Sequence, residues 1–78
     1  MKPVTLAHRL LARLKVEPGA VVPHADLYRA MWPDGAPERH NEILREIASR
    51  IRRGLPPGHA LIAIWGKGYV LRQGVRVR

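Results

Sequence analysis

The sequence predicts an α+β fold in which three helices are followed by a C-terminal β-hairpin. Three segments repeat apolar residues at helical spacing, Pro and Gly clusters separate them, and two short apolar runs flank Gly66-Lys67-Gly68. With 78 residues the chain has room for a single domain with a small core. We place that domain in residues 1–72 and expect residues 73–78 to form a basic tail or an extension of the last strand.

Leucines at helical spacing predict the first helix over residues 5–16, with Thr5 as a candidate N-cap. Pro18-Gly19 ends this helix because neither residue favours helix continuation. Val21-Val22 follows and is too short for more than a strand stub. The first part of the chain therefore contributes one amphipathic helix and no long strand.

Two further helices follow the stub. Pro23 opens the second, over residues 24–32, because proline is tolerated in the first turn of a helix. The third helix either starts at Pro37 or has Asn41 as its N-cap, and the sequence does not decide between them. The third helix has one apolar stripe and an arginine-rich remainder; the stripe consists of Leu44, Ile47, Ala48, Ile51 and Leu55.

Two apolar segments near the C-terminus predict the hairpin. Residues 61–65 and 69–72 have strand character, and Gly66-Lys67-Gly68 joins them as a turn in which glycine permits a positive φ. These three residues lack the longer pattern of a phosphate-cradling loop. We expect Trp65 and Tyr69 to act as core or wedge residues rather than as a stacking platform for single-stranded bases.

Positive charge is concentrated in the second half of the chain. The net charge is +8, and all six acidic residues precede residue 47, whereas residues 47–78 carry seven Lys or Arg and no acid. A one-sided positive surface suits a polyanionic partner such as DNA. The competing interpretation is a solvated basic face that only keeps the protein soluble.

Composition excludes several classes of function. The chain has no cysteine, which removes disulfides and thiol catalysis and fits a reducing cytoplasm. The four histidines are scattered without metal-ligand spacing, and no catalytic pair or triad stands out. So small a domain needs its leucine-rich first helix for the core, and no apolar run approaches a membrane span. We expect no enzyme, cofactor, metal or membrane partner.

Three segments carry a resemblance to a known family. They are residues 11–32, residues 49–55 with the run SRIRRGL, and residues 61–71, in which two apolar strands flank Gly-x-Gly-Tyr. In this order and spacing the chain resembles the DNA-binding effector domain of OmpR/PhoB-type response regulators, a winged helix-turn-helix. The resemblance implies that the third helix enters the major groove and that the hairpin is a wing on the backbone or in the minor groove.

The chain departs from the family pattern at several points. The first helix lies so close to Met1 that we expect a stand-alone domain, without the family's N-terminal sheet or receiver domain. Arg45-Glu46-Ile47 stands where the family often has Asp-Val-His, so no operator sequence carries over. Trp65 stands where several members insert Arg into the minor groove, which leaves Lys67 as the nearest candidate for that contact.

The candidate DNA contacts lie on the third helix and the wing. Arg50 and Arg53 are three residues apart and share a face, and arginine is the side chain that most often reads guanine. Glu46 is either an ion-pair partner of Arg50 or an acceptor for cytosine N4. The full set of candidates is Arg45, Ser49, Arg50, Arg52, Arg53, Lys67 and Arg72.

These features predict a sequence-specific transcriptional regulator that binds double-stranded DNA in the cytoplasm, with the nucleoid, as a monomer or weak dimer that can pair on DNA. The alternative is a winged-helix protein-interaction module, such as a small phage-type modulator of RNA polymerase, with little sequence-specific DNA binding. The family resemblance places the polymerase-contacting loop at residues 32–39. Trp32 and Asp34 are therefore candidate protein contacts.

Overall fold

A computed structural model describes residues 5–74, so most of the expected tail over 73–78 lies outside the described residues. The described chain forms three helices and three strands. Their bounds are Leu6–Val16 (α1), Val22–Pro23 (β1), His24–Met31 (α2), His40–Gly54 (α3), His59–Ile64 (β2) and Gly68–Gln73 (β3). The predicted α+β architecture of three helices and a C-terminal hairpin is confirmed, and it is compatible with a winged helix.

The start of α1 agrees with the sequence. The Thr5 hydroxyl accepts a hydrogen bond from the His8 backbone N–H at 3.1 Å, which confirms Thr5 as the N-cap. Arg9 reaches from α1 to the end of α2, where its Nη1 donates to the Met31 carbonyl at 3.0 Å. A cationic group at a helix C-terminus satisfies a carbonyl that has no partner within its own helix. One α1 side chain thus fixes the end of α2.

The start of α3 differs from both alternatives that the sequence offered. The helix begins at His40, directly after Arg39, so Pro37 does not start it and Asn41 does not cap it. The Pro37 carbonyl instead accepts a hydrogen bond from the His40 backbone N–H at 3.1 Å and lies 2.8 Å from the His40 Nδ1. A turn, and not a side-chain cap, leads the chain into α3.

The hairpin belongs to a three-stranded antiparallel sheet in the order β1-β3-β2. β1 pairs with β3 through Val22 opposite Tyr69 and Pro23 opposite Gly68. The sequence indicated a strand stub at this point but not its partner. A two-residue strand has no periodicity from which a pairing could be inferred.

The boundaries of the hairpin also differ from the prediction. β2 begins at His59 and ends at Ile64, which leaves Trp65 in the turn. β3 continues to Gln73, the first residue of the expected tail. Trp65 is 97% exposed, so a core role for it is wrong, whereas Tyr69 is only 7% exposed and belongs to the core.

The core lies between the helices and the inner face of the sheet. All three helices and all three strands contribute to it, and its buried members are Leu10, Leu14, Val22, Leu27, Met31, Leu44, Ile47, Ala48, Leu61, Tyr69 and Leu71. Ile51 and Leu55 of the predicted α3 stripe are partly buried against this cluster. Burial of the stripe determines which side of α3 faces solvent.

Candidate nucleic-acid interface

The outer face of α3 gathers four of the predicted contact residues. Because the apolar stripe is buried, Arg45, Arg50 and Arg53 are exposed on the other side, and Ser49 is half-buried beside them. Together with Glu46 they line a shallow depression of about 400 Å³, called here the α3 depression. The Arg53 Nη2 donates a hydrogen bond to the Ser49 Oγ at 3.4 Å, and this bond holds both side chains on this face.

The acidic residues of α3 are not equivalent. The Glu42 Oε2 accepts from Arg39, with the Nη2 at 2.8 Å and the Nε at 2.9 Å, so its charge is compensated locally. Glu46 forms no ion pair within residues 5–74, and the pairing with Arg50 that the sequence allowed is absent there. The α3 depression therefore sets three arginines against one uncompensated carboxylate.

Arg52 is tied to the sheet. Its Nε donates to the Leu61 carbonyl of β2 at 3.1 Å, which bridges α3 and the strand that follows it. The residue remains exposed otherwise. Arg52 thus lies at the edge of the α3 face and positions the helix against the sheet.

A cleft separates the first half of α3 from the hairpin turn. It has a volume of about 560 Å³, and Arg45 lines both this cleft and the α3 depression, so the two are neighbours on the surface. We call it the α3–turn cleft. The residues that line it are His24, Tyr28, Asn41, Leu44, Arg45, Ala63, Ile64, Trp65, Gly66, Gly68 and Tyr69.

Tyr28 holds one wall of the α3–turn cleft. Its hydroxyl donates to the Asn41 Oδ1, and its ring packs edge-on against His40 with centroids 4.5 Å apart. Burial, with a smaller contribution from Tyr69, raises the pKa of Tyr28 above its usual 10.0, while Arg45 opposes the shift. The hydroxyl therefore remains a donor at neutral pH and fixes the orientation of the Asn41 amide.

Sequence reasoning missed Tyr28 and Asn41 as members of this surface. Asn41 precedes Arg45 by four residues and so shares its side of the helix, a spacing that the sequence displays. The contact with Tyr28 joins two different helices, and no spacing along the chain reveals it.

The hairpin turn is anchored to the helical part of the molecule. Within the turn the Lys67 N–H donates to the Ile64 carbonyl at 3.0 Å, and Gly66 has the φ of +72° that a residue with a side chain rarely adopts. The Lys67 carbonyl accepts from the His24 N–H at 3.0 Å, at the start of α2. Lys67 is exposed, so its ammonium group is presented on a rigid turn.

Comparison with known protein families identifies the domain. Residues 4–71, most of the chain, match the family described as "Transcriptional regulatory protein, C terminal". The chain belongs to this family. It comprises the DNA-binding effector domains of OmpR/PhoB-type regulators, so the resemblance seen in the sequence is confirmed, and it is not an enzyme family. No curated protein and no solved structure gives a significant match.

In this effector domain Arg72 is separated from Lys67, the other candidate contact on the hairpin. It follows Gly68 by four residues, which is roughly 13 Å along a strand at about 3.3 Å per residue. Arg72 is exposed and lines a different depression, together with Pro18 and Gly19. The structure thus places Lys67 beside the α3–turn cleft and Arg72 at the opposite end of β3.

The two candidate protein contacts of the effector domain also differ. Trp32 is half-buried against the core, and its ring lies 6.4 Å from that of Tyr28. Asp34 is exposed, as are all of residues 33–39. Asp34 can therefore be changed without disturbing the core, whereas Trp32 cannot.

Two kinds of site are absent from the part of the effector domain that the structure describes. No helix in residues 5–74 is long and apolar enough to cross a membrane. The same residues contain no group of three His, Asp or Glu that could hold a metal ion.

Proposed function

We propose that this domain is a sequence-specific transcriptional regulator that binds double-stranded DNA with α3 in the major groove and the β2–β3 turn on the backbone or in the minor groove. The α3 depression supports the proposal most strongly. It brings Arg45, Ser49, Arg50 and Arg53 onto one face. The major groove, about 12 Å wide, admits one helix and presents the acceptors that arginine reads.

The proposed contacts have different roles. Arg45, Arg50 and Arg53 face base edges and the flanking phosphates, and Ser49 adds a hydroxyl that can donate or accept. Lys67 contacts phosphate or the minor groove from the turn. Arg52 supports the orientation of α3 through the bond from its Nε to β2 and contacts phosphate only. Arg72 adds only long-range attraction.

A fluorescence-anisotropy titration against a random duplex pool tests the function. If Arg45, Arg50, Arg53 and Lys67 neutralise four phosphates, and Arg52 a fifth, log K should fall with log[salt] at a slope of about −3.5 to −4.5. Repeated selection from the pool should enrich one sequence. A shallow slope, or micromolar binding that is lost at about 150 mM salt with nothing enriched, would contradict sequence-specific recognition.

The same kind of titration also tests how many copies of the domain bind one DNA duplex. We propose a monomer or weak dimer in solution that can pair on adjacent sites, acting in the cytoplasm with the nucleoid. Stoichiometric titration of the selected duplex, in single-site and double-site lengths, measures the number of protomers bound.

A second candidate function is protein binding through the loop at residues 33–39, with RNA polymerase as the partner. The exposure of the whole loop supports it, and the Gly35 N–H donates to the Trp32 carbonyl at 3.1 Å, which gives the loop a defined turn. Asp34→Arg should abolish polymerase binding and leave DNA affinity within about twofold, because an exposed change on the loop leaves the α3 depression intact. Arg50→Glu should have the opposite pattern. Pull-down and anisotropy measurements on both variants distinguish the two functions.

A further inference from the structure

We propose that Trp65 is a DNA-contacting, specificity-determining residue whose indole enters the minor groove beside the major groove that takes α3. The inference rests on the proposed function and adds to it a preference for A·T pairs at the position under the turn. Four observations carry it: the exposure of Trp65, the anchoring of its turn, the shape of the adjacent cleft, and the charge of the surrounding chain.

Trp65 is the most exposed large apolar side chain in residues 5–74, at 97%. The other aromatic residues of the domain are at least partly packed, since Tyr69 belongs to the core and Tyr28 and Trp32 lie against it. Leaving an indole in water forgoes the free energy that its burial would release. An exposed large apolar side chain on a rigid element is therefore a candidate for burial against a partner.

The turn that carries Trp65 is already ordered in the free domain. Hydrogen bonds from the Lys67 N–H to the Ile64 carbonyl and from the His24 N–H to the Lys67 carbonyl, both 3.0 Å, hold it from two sides. Gly68 packs so closely that an added Cβ would lie 1.9 Å from the Val22 carbonyl oxygen. Binding at Trp65 therefore costs little backbone entropy, which favours affinity.

The α3–turn cleft places Trp65 on the far side of a groove from α3. Asn41 and Arg45 line one wall, and Trp65 and Gly66 line the other. When α3 occupies the major groove, the sugar-phosphate backbone that borders that groove can lie in this cleft of about 560 Å³. The minor groove is the next groove beyond that backbone, so a side chain on the turn wall of the cleft, such as Trp65, can reach it.

The positive charge of the chain around Trp65 favours nucleic acid over other classes of partner for this apolar side chain. No acidic residue follows Glu46 in the chain, and Lys67 is exposed two residues after Trp65. The net charge of +8 opposes pairing with a second copy of the chain at this surface. A polyanion with apolar sugar walls matches both the cationic and the apolar character of the turn.

The chemistry of the indole predicts a base preference. Its Nε1–H is a donor only. In the minor groove, A·T and T·A pairs present acceptors alone, whereas a G·C pair adds the guanine N2 amino group, which is a donor in the path of the indole. Trp65 should therefore favour A·T under the turn and disfavour G·C.

Tryptophan fluorescence tests burial of the side chain directly. The chain has two tryptophans, so the wild-type protein is compared with Trp65→Phe, in which only Trp32 emits. The Trp65 contribution is the difference between the two proteins. On saturation with the selected duplex, acrylamide quenching of that contribution should fall several-fold. Quenching that stays unchanged while anisotropy reports saturation would overturn the proposal, and failure of the wild type to bind any duplex would instead overturn the proposed function.

Affinity measurements test the role of Trp65 in recognition. Trp65→Ser should weaken binding about tenfold, because the apolar contact between the indole and the groove wall is lost. Val16→Ser is the matched control, because Val16 is also a large exposed apolar residue, 69% exposed, but lies at the end of α1. Equal affinity of Trp65→Ser and the wild type would contradict the proposal.

Inosine substitution identifies the groove. An inosine·C pair has no N2 amino group, so its minor groove resembles that of A·T while its major groove resembles that of G·C. For the wild type, replacing A·T under the turn with G·C should weaken binding, and replacing it with inosine·C should restore it. In Trp65→Ser these differences should shrink. If inosine·C behaves like G·C, Trp65 does not lie in the minor groove.

Discussion

Arg50→Ala and Arg72→Ala remove the same charge from two places and should have unequal effects on DNA affinity. Arg50 lies in the α3 depression, and Arg72 lies at the opposite end of β3. A side chain that reads a base contributes about 1–3 kcal/mol of discrimination, so Arg50→Ala should weaken binding to the selected duplex about 5- to 150-fold. Arg72 lies roughly 13 Å along the strand from Gly68 and, in the proposed binding mode, contacts no base, so at about 0.15 M salt screening leaves it only a weak attraction to the duplex. Its loss should change affinity less than about twofold.

The assay is an anisotropy titration of both variants at about 50 and 150 mM salt. Arg50→Lys is a useful control, because it retains the charge but not the two-pronged guanidinium, and should keep the salt slope while losing base discrimination. Equal losses for Arg50→Ala and Arg72→Ala would refute the reasoning. Affinity would then follow net charge, and the α3 depression would have no special role.

Three further predictions concern the wing, the electrostatics of α3 and the cleft. Gly68→Ala should destabilise the domain by more than about 2 kcal/mol in urea denaturation, because the added Cβ would collide with the Val22 backbone. Gly54→Ala is the control and should not destabilise the domain, because nothing lies within 4 Å of the Cβ added there. Glu46→Gln should strengthen binding to all duplexes about twofold to fivefold at low salt by removing an uncompensated carboxylate; a loss confined to sites with one particular cytosine would point to base readout instead. Burial raises the pKa of Tyr28 above 10.0, so the folded state holds that proton more tightly than the unfolded chain. The stabilisation is complete below pH 10 and is lost as the pH rises through the folded pKa, so wild-type stability should fall more steeply there than that of Tyr28→Phe; parallel curves would show that Tyr28 is not the group responsible.

The helices could be predicted from the sequence because their signals are local and repeated. The leucines of α1 and the apolar stripe of α3 each recur over several turns, and Thr5 caps α1 as its residue type suggests. The same stripe determines the outward face of α3, so the sequence alone predicts that Arg45, Arg50 and Arg53 are neighbours on that face. Periodicity predicts which side of an element is buried, and hence which side is free to bind.

The sheet pairing and the rest of the candidate site depend on contacts between distant parts of the chain, which local sequence patterns do not reveal. The contact between Tyr28 and Asn41 joins α2 to α3, and the pairing of β1 with β3 depends on two residues. The exposure of Trp65 follows from β2 ending at Ile64, one residue earlier than apolar character suggests. Hydrophobicity alone assigns a tryptophan to the core, and only the strand end shows otherwise.

The pairing of Val22 with Tyr69 has a consequence for folding. These partners are 47 positions apart, so the loop that closes when β1 meets β3 is long and its closure costs more entropy than the local turns do. Helices can form from nearby residues, whereas the turn that carries Lys67 takes its final position only when both ends of this long loop have met. We expect the wing to be the last part of the domain to assemble and the first to detach on unfolding. Hydrogen exchange at the His24 amide, which donates to the Lys67 carbonyl, would then report the fraction of molecules in which the wing is docked.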